Sequence, residues 1–169
     1  MTESNIYMAT KYDDIKNAFA GKEQKIILSE LKKFGRAPPG FNHEVFFEGL
    51  SHTNSKIKLA CVEHLGKFSD RDIVKRLASL FKTETNTAIR REIVSSIGRQ
   101  RSKNNLDILI EFSNDNDPKV VMQTIRALLY FKDVPKVKKR LEELQKHKNE
   151  VIQQVLQSAF ATKTATSTI

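Results

Sequence analysis

I-R-R-E-I-V-S-S-I-G, residues Ile89 to Gly98, is the stretch that decides the fold. Apolar side chains fall at Ile89, Ile93, Val94 and Ile97 with polar ones between, the stripe of a helix with one buried face, and the glycine can close it. The pattern recurs in both directions. I-K-L-A-C-V-E-H-L-G (Ile57 to Gly66) lies thirty-two residues earlier, and I-I-L-S-E-L-K-K-F-G (Ile26 to Gly35) thirty-one before that. V-V-M-Q-T-I-R-A-L-L (Val120 to Leu129) lies thirty-one later, and V-I-Q-Q-V-L-Q-S-A-F (Val151 to Phe160) thirty-one later again. Five copies at a near-constant step signal stacked helical units.

Between the copies the chain reads as a first helix for each unit. Lys11 to Ala20 and Lys22 to Phe34 make the first pair, after a polar segment, residues 1–10, expected to be disordered. R-A-P-P-G, residues 36–40, is the strongest break in the chain. Asn42 is placed to cap His43 to Leu50, Ser55 to cap Lys56 to Lys67, and Ser69 to cap Asp70 to Phe81. Asn86 or Thr87 starts the helix Ala88 to Arg99, and Asn104 to Phe112 follows. Pro118 and Pro135 open the helices that end near Phe131 and Lys146, since proline suits the first helical position. The last helix runs from about Asn149 to Ala161, and residues 162–169 read as a flexible tail or linker. No sustained period-two alternation supports a strand. The expected fold is all-α, a right-handed α-solenoid of about five helix pairs spanning 11–161.

The chain has 169 residues, 39% hydrophobic and 29% charged, enough for one folded domain. A net charge of +9 and a pI near 9.7 favour an anionic partner. One cysteine, Cys61, excludes an internal disulfide and fits a reduced, cytoplasmic setting. No apolar run approaches a membrane span.

Each unit reads as helix, short turn with Asn or Asp, then a second helix of the form Ile/Val-Arg/Lys…Val-x-x-Ile-Gly. N-T-A-I-R-R-E-I-V-S-S-I-G and D-P-K-V-V-M-Q-T-I-R-A-L carry it best. This resembles the HEAT-repeat family over roughly Tyr12 to Ala161. Val121 and Ile152 depart from it at the usual basic position. The chain is also similar to HEAT segments that precede the catalytic domain of some prokaryotic DNA methyltransferases. That likeness implies a DNA-associated accessory domain. No Asp/Asn-Pro-Pro-Tyr/Phe tetrapeptide and no Gly-x-Gly loop occurs, so methyltransferase chemistry is not encoded in these residues.

Other chemistry finds little support. His43, His52, His64 and His147 lack ligand spacing with a cysteine or a second histidine and read as exposed or cap-region residues. HEAT-repeat hydroxylases with di-iron sites use several His-Glu pairs, against one here, His43-Glu44. HEAT-like DNA glycosylases use tryptophan, which this chain lacks. The expectation is a non-catalytic protein with neither cofactor nor metal.

The basic residues carry the functional reading. On a helical wheel Arg91, Ser95 and Arg99 fall roughly opposite the Ile89, Ile93 and Ile97 stripe. The equivalent line in the next unit holds Met122, Arg126 and Tyr130, and the line before holds Leu59, Glu63 and Lys67. In HEAT stacks second helices line the concave surface, so the resemblance puts these lines in a groove. Arg101 and Lys103 extend the row, giving five basic residues against one acidic between Ile89 and Lys103. Arg91, Arg99, Arg101, Lys103, Arg126, Tyr130 and Lys67 are therefore the candidate nucleic-acid contacts, DNA ahead of RNA. Arg90 and Lys58 sit beside the core and are expected to pair with a neighbouring turn. The basic run Lys132 to Lys148 is expected to face solvent. The alternative function is a protein-interaction scaffold. Its motive is the last helix, where Val151, Ile152, Val155, Leu156, Ala159 and Phe160 leave little polar cover and suggest a catalytic domain or subunit packed beyond it.

Overall fold

Ten α-helices and one 3-10 turn account for the secondary structure of residues 3–35 and 41–161, the part of the chain described by the computed structural model, with side chains from Tyr12 onward. No strand occurs among the described residues. The helices are α1 (Glu3–Gly21), α2 (Gln24–Lys33), α3 (Val45–Leu50), α4 (Ser55–Leu65), α5 (Arg71–Thr83), α6 (Thr87–Arg99), α7 (Leu106–Phe112), α8 (Pro118–Leu129), α9 (Pro135–Leu144) and α10 (Glu150–Ala161), with the 3-10 turn at Lys103–Asn105. The first helix begins at Glu3, where the sequence reading put a disordered segment up to residue 10. The expected break at 36–40 and the expected tail at 162–169 lie outside the described residues.

The chain divides into two compact units, residues 1–96 and 97–169. In the first, α1 packs on α2 and α3, α3 on α4, and α2 on α4. In the second, α7 packs on α8 and α9, and α10 on α9 and α8. First helices thus touch first helices and second helices touch second helices, as stacked pairs require. The apolar stripes are what they bury. Ile57, Cys61, Val62 and Leu65 of α4 and Ile89, Ile93 and Val94 of α6 are fully enclosed in the first unit. Val120, Ile125 and Leu128 of α8 and Ile152 and Leu156 of α10 are enclosed in the second. Each such side chain contributes about 1.5–3 kcal/mol relative to exposure. An aromatic cluster fills the first unit: Phe34, Phe41 and Phe46 lie within 4.6 to 5.9 Å of one another, with His64 against Phe34 and Phe46.

The turns that start four second helices share one device at the repeat spacing. In His52-x-Asn54, Glu84-x-Asn86, Asp115-x-Asp117 and His147-x-Asn149, the first side chain accepts the backbone N–H of the second residue at 2.8–3.0 Å. The second side chain accepts the N–H two residues further on, from Lys56, Ala88, Lys119 and Val151. Each turn therefore satisfies donors that the helix itself leaves orphaned. Asn54 and not Ser55 is the cap of α4, and Asp70 and not Ser69 that of α5, each accepting the N–H of the second helical residue.

Two glycines do something other than stop helices. A Cβ on Gly98 would stand 2.8 Å from the Ala127 Cβ, so α6 runs through it and α8 approaches closely. A Cβ on Gly49 would collide with the Cys61 sulfur, which fixes the approach of α3 to α4. The left-handed residue that follows α6 is Arg101, at φ 47°.

Candidate nucleic-acid interface

In the second unit the chain leaves α6 at Arg99, turns at Arg101 and enters the 3-10 turn at Lys103. All three side chains are exposed. The left-handed backbone at Arg101 aims its guanidinium over the Tyr130 ring, 4.7 Å from the centroid. Tyr130 is the C-cap that follows α8 and is 60% exposed. Phe131 packs perpendicular to it at 4.9 Å between centroids and is itself buried. Arg126 lies one helical turn before Tyr130 on α8, is exposed, and donates to Gln123 Oε1 of its own helix at 3.4 Å. The structure thus brings Arg101 and Tyr130 into contact and puts Arg126 on the face of α8 that Tyr130 continues.

Lys67 and Arg91 belong to the first unit. Arg91 is exposed, as the wheel requires. Lys67 is exposed as well, and its ammonium donates to the Gly35 carbonyl and to His64 Nδ1, both at 3.1 Å. His64 is buried, not exposed. Its Nε2–H donates to the Leu31 carbonyl at 2.8 Å. Burial, and then the Lys67 ammonium, push its pKa down to about 4 against the opposing pull of that carbonyl, so the ring is neutral. Burial likewise pushes the Cys61 thiol up to about 12, which leaves no nucleophilic thiolate.

Three further cations brace turns and helices. Lys58 of α4 donates to Glu84 at 2.7 Å across twenty-six residues, in the neighbouring turn as expected but to a glutamate where an Asn or Asp was expected. Burial alone would raise the Glu84 carboxyl, but the hydrogen bonds from Lys58 and Asn86 outweigh it and hold the group below the usual carboxylate range. Arg90, expected to reach a neighbouring unit, instead donates to the Glu84 carbonyl of its own turn. Arg140, assigned to a solvent-facing run, instead clamps α9 to the turn before α8. It donates to Ser113 Oγ at 2.7 Å, the Ser113 carbonyl at 3.3 Å, Asn114 Oδ1 at 2.7 Å and Glu143 at 3.1 Å. The signal was present in the sequence, since Arg140 follows the buried Val137 by three residues and precedes Leu141, at the edge of that stripe.

On α10, Ile152 and Leu156 are buried while Val151 is 58% exposed. Val155 and Phe160 are half-buried, and Gln154, Gln157 and Ser158 cover the exposed face.

A family model for HEAT repeats matches residues 44–128 and 80–161. The chain belongs to the HEAT-repeat family. This HEAT-repeat chain is a helical-repeat scaffold of a class whose work is holding partners, and the class alone names no partner. A search of curated proteins finds no match. No helix among the described residues is long and apolar enough to cross a membrane. The HEAT second helices that carry the candidate contacts are α6 and α8, and the turn after α6 supplies Arg101 and Lys103.

Proposed function

We propose that this HEAT-repeat chain is a non-catalytic scaffold that binds nucleic acid, DNA before RNA, through the basic surface of its second unit, as an accessory to a DNA-modification system. The observation that carries the reading is the exposed Arg101–Tyr130 stack, with Arg126 on the same helix and Lys103 two residues beyond Arg101. Arginine and lysine supply phosphate contacts, and none of these four residues carries an enclosing apolar role that would explain its position. Arg91 on the first unit adds a further exposed cation. The link to DNA modification rests on the sequence resemblance to methyltransferase HEAT segments.

The test is anisotropy of labelled oligonucleotides at low and at moderate salt. Binding that weakens on Arg126→Glu and Arg101→Glu supports the reading. A protein that captures one polypeptide partner and leaves oligonucleotides free at low salt would replace it with the protein-scaffold alternative, for which the exposed Val151 on α10 is the motive.

A further inference from the structure

Tyr130 is one of three large hydrophobic side chains that stand out in solvent among the described residues, with Ile26 and Val151. It alone of these is aromatic, and it alone is stacked by a cation. A phosphate-binding surface needs no such ring, because backbone contacts are made by cations and N–H groups. A ring that is 60% exposed, with Arg101 over it and the buried Phe131 perpendicular to it, has most of its surface open to a planar group. Arg101 over the ring and Arg126 one turn before it supply positive charge, with Lys103 two residues beyond Arg101 in the chain, so the planar group that fits is one carried on a polyanion. A duplex keeps its base faces stacked on each other and cannot present one, whereas a single strand can.

We infer that Tyr130 is a base-stacking platform and that the second unit prefers single-stranded nucleic acid to duplex. This rests on the nucleic-acid reading above and adds the form of the ligand. The guanidinium of Arg101 pre-orients the ring and contacts the phosphate next to the stacked base. Arg126 takes a phosphate one step along the strand.

The experiment uses the full chain with fluorescein-labelled dT20, the same strand annealed to dA20, and a dT20 carrying a run of abasic sites. Wild type binds dT20 more tightly than the duplex. Tyr130→Ala weakens dT20 binding roughly ten-fold, leaves the duplex within two-fold, and abolishes the difference between dT20 and the abasic strand, these sizes following from about one stacked base. Tyr130→Phe keeps the single-strand affinity, since the ring and not the hydroxyl does the stacking. The chain has no tryptophan and three tyrosines, so quenching of tyrosine emission on titration with dT20 is readable, and it shrinks in Tyr130→Phe. Thermal melts of both variants show that the fold persists. If wild type binds dT20 and duplex alike, or if Tyr130→Ala weakens both equally, the platform is wrong while the nucleic-acid reading stands. If wild type binds neither at low salt, the nucleic-acid reading itself falls and takes the platform with it.

Discussion

His64 shows at the scale of one residue how a polar group becomes a structural part. Its ring is enclosed by Phe34 and Phe46, with both nitrogens hydrogen-bonded in the neutral state. Its folded pKa, about 4, lies below the unfolded value of about 6.5. The unfolded chain therefore binds a proton in that window that the folded chain does not. This contribution to stability is complete above pH 6.5 and is lost as pH falls towards 4. It amounts to on the order of 3 kcal/mol in full, of which about 2 is lost by pH 5. Urea midpoints should fall between pH 7 and pH 5 in wild type, and fall less in His64→Gln, which keeps a donor to the Leu31 carbonyl. Equal falls in the two proteins would place the titrating group elsewhere. Gly49 carries a second residue-scale prediction. Gly49→Ala drives a methyl into the Cys61 sulfur and should cost about 1–3 kcal/mol, as overpacking does. Cys61→Ala removes that sulfur, so the double variant should be more stable than the sum of the two single changes predicts in a denaturation cycle.

At the scale of an element, the second helices α4, α6, α8 and α10 are each specified twice, by the stripe and by the turn that starts the helix. The stripes were legible because burial needs only spacing: every stripe residue from Ile89 to Ile97 is enclosed. Pro118 and Pro135 were legible as helix starts for the same local reason. What spacing could not show was which polar side chain would leave solvent. Arg140 and His64 look like surface residues in one dimension, and each is held by a carbonyl far off in the sequence, that of Ser113 for Arg140 and that of Leu31 on α2 for His64. Glycine misled in a related way, since Gly98 marks a close approach by α8 and not a stop. Lys58 and Glu84 make the element-scale test. Glu84 has only 5% of its side chain exposed, so Lys58→Met strands a buried carboxylate. That loss should cost about 3 kcal/mol, and adding Glu84→Gln should recover much of it, because Gln keeps the acceptor for the Asn86 N–H. A double variant no more stable than Lys58→Met alone would show that the pair matters little to α4 and α5.

For the whole molecule the question is which of two basic surfaces meets a polyanion, because a net charge of +9 does not say. One surface is the α6 turn with the end of α8, and the other is α9. On α9, Lys136 pairs with Asp107 at 2.6 Å, Lys138 stands 3.9 Å from Glu142, and Arg140 is committed to the turn before α8. Its charge is thus largely answered from within the second unit, whereas Arg101 has an aromatic ring as its partner and keeps its full charge towards solvent. A polyanion releases counterions in proportion to the phosphates it has neutralised, so salt dependence counts the cations engaged. With three or four of Arg99, Arg101, Lys103 and Arg126 engaged, log Kobs for a single strand should fall against log salt with a slope of about −2 to −3. Arg126→Glu should flatten the slope by about 1 as well as weaken binding, and Lys138→Glu with Lys139→Glu should shift affinity slightly at low salt with the slope intact. The reverse pattern, a slope that collapses on reversing α9 and survives Arg126→Glu, would move the binding surface to the first helices and away from Tyr130. The slope discriminates where affinity alone would not, because any charge reversal on a basic protein weakens a polyanion's long-range attraction, and only a residue in contact changes the number of ions released.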